Sequence, residues 1–203
     1  MSIYALKPRF QSLLRPLATG LANAGVTANQ VTLAACAVSL AVAAFVAWRS
    51  DERWPFLLVP LWMFVRMAFN AIDGMLAREF GQKTSLGAYL NELTDVVSDC
   101  ALYLPFALVA PFSLWWVGAV ALLAAISEYA GVLGLMVGAS RRYDGPMGKS
   151  DRAFVFGALG LYVSLGGALS DGAFWIMPIV TALIAWNVLN RVRRGVADAR
   201  RPA

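Results

Sequence analysis

Histidine is absent from the 203 residues, which removes the usual neutral-pH general base and a common zinc ligand. Acid–base chemistry in this chain therefore has to run on carboxylates. Charge is scarce: Asp, Glu, Lys and Arg make up 14% of the residues, against 60% hydrophobic ones. That balance suits lipid rather than water as the solvent. The two cysteines, Cys36 and Cys100, both fall in apolar runs, so packing is expected of them rather than a disulfide framework. No cleavable leader is expected, because the first long apolar run begins near Val31 and no small-residue cleavage site precedes it. No internal repeat or low-complexity tract is present.

The net charge of +5 raises nucleic acid as a partner, but the basic residues follow a membrane topology instead, and no nucleic-acid partner is expected. Residues 1–24 interleave Lys7, Arg9 and Arg15 with Leu6, Phe10, Leu13, Leu14 and Leu17. This pattern predicts an amphipathic helix lying in the membrane interface. A solvated leader is the alternative, and Pro8 and Pro16 each limit a continuous helix to one side of the ring. Apolar runs near 31–48, 56–76, 86–111, 114–137, 153–169 and 174–189 then predict six membrane spans. The expected fold is thus an all-α membrane protein: an interfacial helix over 1–24, a six-span domain over 25–192 and a basic cytoplasmic tail over 193–203. With Arg66 assigned from its depth in the second run, only Arg49 and Arg53 of the basic residues fall on the second side. The excess on the first side predicts that both termini face the cytoplasm.

Against this apolar background the window from Asn70 to Asp99 stands out. Asn70, Asp73 and Ala77 share one helix face, and Asn91, Asp95 and Asp99 share another. Ionisable groups at membrane depth are expensive and mark functional sites by default. Oxygen donors on two facing helices suit hard cations such as Mg²⁺ or Mn²⁺, which bridge phosphates. Gly74, Ala77 and Gly87 either admit a nucleotide or serve plain helix packing, and Arg78 either joins the site or anchors its helix at the interface. In the hydrophilic connection 140–152, Arg141, Arg142, Lys149 and Arg152 either report topology or form a rim for a phosphorylated acceptor such as a polyol phosphate. Glu128, inside the fourth run, is expected either to pair with an intramembrane arginine such as Arg66 or to contact the acceptor.

The window reads N-x2-D-G-x2-A-R-x8-G-x3-N-x3-D from Asn70 to Asp95. It resembles the signature of the CDP-alcohol phosphatidyltransferases, D-x2-D-G-x2-A-R-x8-G-x3-D-x3-D. The spacing is kept throughout; Asp73, Gly74, Ala77, Arg78, Gly87 and Asp95 match, while Asn70 and Asn91 stand where the family has Asp. The segment T-A-N-Q-V-T at 27–32 also resembles the opening of that family's first span, where Asn29 and Thr32 would lie near the nucleotide. The resemblance implies transfer of the phosphatidyl group of CDP-diacylglycerol to a small alcohol, with release of CMP. It further implies Mg²⁺ or Mn²⁺ at Asn70, Asp73, Asn91 and Asp95, with Asp95 as the base and Gly74, Ala77, Arg78 and Gly87 lining the nucleotide site. Asp99, one turn beyond Asp95, either restores a carboxylate to the catalytic site or is a polar neighbour. With two asparagines in the set, the site is expected to hold one cation, two weakly, or none. Membrane lipids as surroundings, a homodimer and the inner (cytoplasmic) membrane of a bacterium complete the expectation. Its alternatives are a catalytically silent relative that binds nucleotide or lipid without turnover, and a transporter, which would leave the fixed spacing of the glycines and Arg78 unexplained.

Overall fold

The computed structural model describes residues 6–200, which fold into helices and no strand. Residues 1–5 of the expected interfacial helix and Arg201 of the expected tail lie outside that range. Helix α1 (Leu6–Asn23) runs through Pro16, contrary to the limit expected from the ring. A proline inside a helix costs about 3 kcal/mol. Tertiary contact offsets it here: Ala18 is buried, and Leu14, Leu21 and Ala22 pack with it on Ile72, Met75 and Leu76.

Helix α2 (Ala28–Trp48) begins with a capping box, in which the Gln30 amide donates to Thr27 Oγ1 at 3.2 Å and the Thr27 amide to Gln30 Oε1 at 2.8 Å. Part of the T-A-N-Q-V-T segment is therefore explained by helix initiation alone. A 3-10 turn (Trp54–Leu57) leads into α3 (Leu58–Glu79), and α4 (Ser85–Tyr103) starts on Thr84, whose hydroxyl accepts from the Gly87 amide at 2.9 Å. Helices α5 (Leu114–Met136), α6 (Lys149–Ser164) and α7 (Ile176–Ala199) complete the chain. Helix α7 continues into the stretch read as a basic tail, where Asp198 accepts hydrogen bonds from Ser140 and Arg142.

Among the described residues, four helical segments are long and apolar enough to cross a membrane: Ala28–Trp48, Trp54–Glu79, Leu114–Met136 and Asp171–Ala199. Helices α4 and α6 are the two expected spans that fall outside this set. The first carries Glu92, Asp95 and Asp99; the second has 16 residues and opens with Lys149, Asp151 and Arg152. At 1.5 Å per residue, α6 reaches about 24 Å, short of a hydrocarbon core of about 30 Å. In α4 the residues that withhold the helix from the apolar set, Asp95 and Asp99 among them, also belong to the site.

Helix α2 packs against both α3 and α4, whose own backbones scarcely touch. The main core, with Phe56, Tyr103, Phe106, Phe156, Met177 and Ile184 fully buried, fills the bundle toward the Arg49–Arg53 end. Tyr103 and Phe156 stack there at 4.0 Å. The opposite end combines the apolar cluster under α1 with charged groups of α3, α4 and α6.

Candidate active site

Side chains, not backbone, bridge α3 to α4. Arg66 lies two turns before Asp73 on α3 and donates to Asp95 Oδ1 at 2.8 Å and to Asp99 Oδ1 at 2.5 Å. Because Asp95 and Asp99 are four residues apart, one guanidinium spans both. The second oxygen of Asp95 meets the Lys149 ammonium at 2.5 Å, and the Asn70 amide also donates to Oδ1 at 3.4 Å. Asp73 is buried and accepts from Thr32 Oγ1 at 2.7 Å; Asn70, one turn before it on α3, reaches Asp95. The two signature carboxylates thus share one locus, with Thr32 of α2 and Lys149 of α6 joined to it.

The residues assigned to the nucleotide line the same end. A Cβ on Gly87 would stand 2.7 Å from Asn29 Oδ1, so only glycine lets α4 approach the start of α2 here. Gly74 gives space of another kind: the Arg78 guanidinium folds over it, and a Cβ would lie 2.7 Å from that group. Arg78 is otherwise exposed. Ala77 packs with the apolar cluster under α1, and Asn91 is half-buried one turn before Asp95.

A pair of divalent cations does not fit this donor set. Hard cations are held by oxygen ligands, of which carboxylates supply the compensating charge, and positions 70 and 91 carry neutral amides here; among the described residues no three His, Cys, Asp or Glu side chains converge. Both oxygens of Asp95 are on protein cations, and Asn70 turns a donor toward that carboxylate. Asp73 remains, with whatever amide oxygens Asn70 and Asn91 can offer.

A second cluster centres on Glu128. Arg152 reaches its Oε1 at 2.8 Å, while Arg191 and Arg141 approach Oε2 at 3.4 and 3.6 Å. Arg152 is 0% exposed and Arg191 2%, so two of the three arginines meet this carboxylate with little water to screen them, while Arg141 is 26% exposed. Arg141 also pairs with Glu92 of α4. The Nε atoms of Arg141, Arg152 and Arg191 are buried without a hydrogen-bond partner, which leaves donors for an anion. The expected alternative of an Arg66–Glu128 pair is not formed, because the i, i+4 acids of α4 claim Arg66 and the arginines of α6, α7 and the connection claim Glu128.

The rim proposed from the connection divides accordingly. Arg141 and Arg152 go to Glu128 and Lys149 to Asp95, whereas Arg142 turns to Asp144 at 2.8 Å and Asp198 at 3.0 Å. Sequence reasoning passed over Arg191 as part of the basic end of the chain. Its signal was the buried Asn187 one turn earlier, which accepts from Ser127 at 2.8 Å and marks a polar inner face on α7.

Asp144 supplies a pH test of this connection. Partial burial raises its carboxyl, but hydrogen bonding and charge from Arg142, then Arg194, outweigh burial and hold it below the usual carboxylate range. A depressed folded-state pKa means that its contribution is complete above the unfolded value near about 4 and fades as pH falls through the folded value. Amides of residues 140–148 should therefore keep their exchange protection in the wild type from pH 7 down to about 4. Asp144→Asn should show at pH 7 the faster exchange that the wild type shows only in stronger acid; equal protection in both at pH 7 would remove the latch.

Away from these clusters, a cavity of about 300 Å³ lined by Asp51, Glu52, Arg53 and Phe56 opens at the other end of the bundle, and no signature residue borders it.

Comparison with known proteins bears on the same residues. The model of the CDP-alcohol phosphatidyltransferase family matches residues 25–189. The inner membrane protein YnbA of Escherichia coli is 43% identical over 193 residues, covering 95% of this chain and 96% of its own. The phosphatidylinositol phosphate synthase of Mycobacterium marinum is 35% identical over 108 residues, 53% of this chain and 42% of that one. The synthase of the same name from Mycobacteroides abscessus is 27% identical over 193 residues, 95% and 84% of the two chains. The match spans every helix from α2 through most of α7, including the cluster around Asp95 and, of the second cluster, Glu128, Arg141 and Arg152 but not Arg191, and four helical segments are apolar enough to cross a bilayer: the chain belongs to the CDP-alcohol phosphatidyltransferase family and is a multi-pass membrane protein.

Proposed function

We propose that this chain transfers the phosphatidyl group of CDP-diacylglycerol to a small phosphorylated polyol and releases CMP. One observation carries the reading: the first turn of α6 joins the two clusters, with Lys149 on Asp95 and Arg152 on Glu128. A hydroxyl near Asp95 and a phosphate among Arg141, Arg152 and Arg191 then belong to one acceptor molecule. The name phosphatidylinositol phosphate synthase, carried by several relatives, agrees with a phosphorylated acceptor.

In this reading Asp95 takes the acceptor's hydroxyl proton, the new P–O bond forms opposite the leaving group, and the P–O bond to CMP breaks. Asn29, Thr32, Gly74, Ala77, Arg78 and Gly87 hold the cytidine diphosphate end, with Thr32 fixing Asp73. Asp99 holds Arg66 and, through it, Asp95. Of the expected Mg²⁺ or Mn²⁺, at most one is retained, at Asp73 with Asn70 and Asn91, and no step above depends on it. Helix α4, extended by the 3-10 turn Leu104–Leu108, and the shorter α6 complete six crossings. The exposed Leu13 and Leu17 of α1 rest on the lipid interface, and both termini and the charged end face the cytoplasm of a bacterial inner membrane. A homodimer rests on the resemblance alone.

The test is CMP release by purified protein in nanodiscs containing CDP-diacylglycerol, offered glycerol 3-phosphate, inositol phosphate, glycerol, inositol or serine. CMP is expected with the phosphorylated polyols. Charge-assisted hydrogen bonds contribute about 1.5–3 kcal/mol, so Arg141→Ala or Arg191→Met should raise KM for the acceptor roughly tenfold or more, with KM for the lipid donor little changed. Equal release with serine would reject the phosphorylated acceptor, and no CMP with any acceptor would favour a silent relative.

A further inference from the structure

We propose that the Lys149 ammonium, seated on Asp95 and backed by Arg66, screens the diphosphate of the CDP-linked substrate, in place of a divalent cation whose ligands Asn70 and Asn91 have withdrawn. This rests on the transfer reading above and concerns the same site. The charge balance is the first argument. Asp95 and Asp99 are balanced by Arg66 and Lys149, and Asp73, held by the Thr32 hydroxyl, adds one further negative charge, so the locus carries a net charge of about −1 with no metal ion counted. A site with four acids repels a diphosphate until cations arrive. Here two acids are replaced by amides, and two cations are supplied by the chain itself.

Exposure divides the work between those cations. The Arg66 side chain is 7% exposed and clamped between two carboxylates, so it positions Asp95 and cannot reach a ligand. The Lys149 side chain is 36% exposed; its ammonium has donors to spare beyond the one on Asp95 and a flexible stem that can carry them to a phosphate oxygen. The Arg152 guanidinium, three residues on, is taken by Glu128. During transfer the acceptor's proton goes to Asp95, Lys149 keeps its own, and its charge stays beside the departing CMP phosphate.

The experiment measures binding of cytidine 5′-diphosphate to the full chain in nanodiscs, in EDTA and then with Mg²⁺ or Mn²⁺. Wild-type protein should bind in EDTA, with added Mg²⁺ changing Kd by less than about threefold. Lys149→Met should weaken binding in EDTA by about tenfold or more, as expected for a lost charge-assisted contact, while Lys149→Arg should stay within about threefold of the wild type. Combining Lys149→Met with Asn70→Asp and Asn91→Asp should restore binding only when the metal ion is added. Thermal unfolding of each variant checks that it is folded. Wild-type binding that vanishes in EDTA and returns with Mg²⁺, or wild-type affinity in Lys149→Met without metal, would overturn the proposal. CMP release that requires Mg²⁺ and ignores Lys149→Met would overturn it and leave the transfer reading standing. Lys149-dependent binding with no CMP from any acceptor would do the reverse.

Discussion

Asp95→Asn is expected to lower kcat for CMP release by a factor of about 10²–10⁴, the range that a positioned general base contributes. The amide keeps the shape and hydrogen-bonding reach of the carboxylate but cannot take the acceptor's proton. Because the side chain is 24% exposed and Arg66 retains Asp99 at 2.5 Å, the fold should survive the change. Asp99→Asn makes the comparison sharp: it removes a partner of Arg66 without touching the acceptor, so its loss of kcat should be about tenfold or less. Unchanged CMP release by Asp95→Asn would end its role as base, and a larger loss in Asp99→Asn than in Asp95→Asn would exchange the two assignments.

The part of this site written at fixed short spacing could be read from the sequence. Asp73, Gly74, Arg78, Gly87 and Asp95 are set by the signature, and helical periodicity alone places Asp95 and Asp99 on one face. What could not be read is which cation meets which acid. Arg66 was visible as a charge in an apolar run, but its choice of Asp95 and Asp99 over Glu128 depends on which acids lie within its side chain's reach across the bundle, and no local rule states that. Arg142 and Arg141 are adjacent in sequence and equally basic, yet one closes on Asp144 and Asp198 and the other on Glu92 and Glu128. Pro16 shows the converse failure, in which a sound local rule yields to burial of Ala18 and its neighbours against α3. The spans divide in the same way: apolar runs predict all six, but only α2, α3, α5 and α7 form helical segments both long and apolar enough to cross, because α4 carries three acids and α6 has only 16 residues.

Glu128→Gln is expected to produce the largest loss of stability of any single change in the chain. Its carboxylate is the counter-ion of Arg152 at 2.8 Å and lies within 3.4 and 3.6 Å of Arg191 and Arg141. Removing one partner of a buried ion pair costs about 3–5 kcal/mol, because the remaining charge stays desolvated and unpaired. Here Arg152 and Arg191, both buried, would share that fate, whereas Arg141 keeps Glu92. Adding Arg152→Met to Glu128→Gln should recover part of the loss, since it removes one of the two buried charges left without a carboxylate, Arg191 being the other. Thermal unfolding in nanodiscs reads both changes, and inorganic phosphate separates a structural cluster from a binding one. An anion that binds only the folded state raises its stability in proportion to its affinity. With the competing carboxylate gone, phosphate should therefore raise the unfolding temperature of Glu128→Gln more than that of the wild type, and Arg191→Met should abolish the difference. If phosphate shifts all three proteins equally, the arginines serve only to neutralise Glu128, and the acceptor's phosphate has to be sought elsewhere.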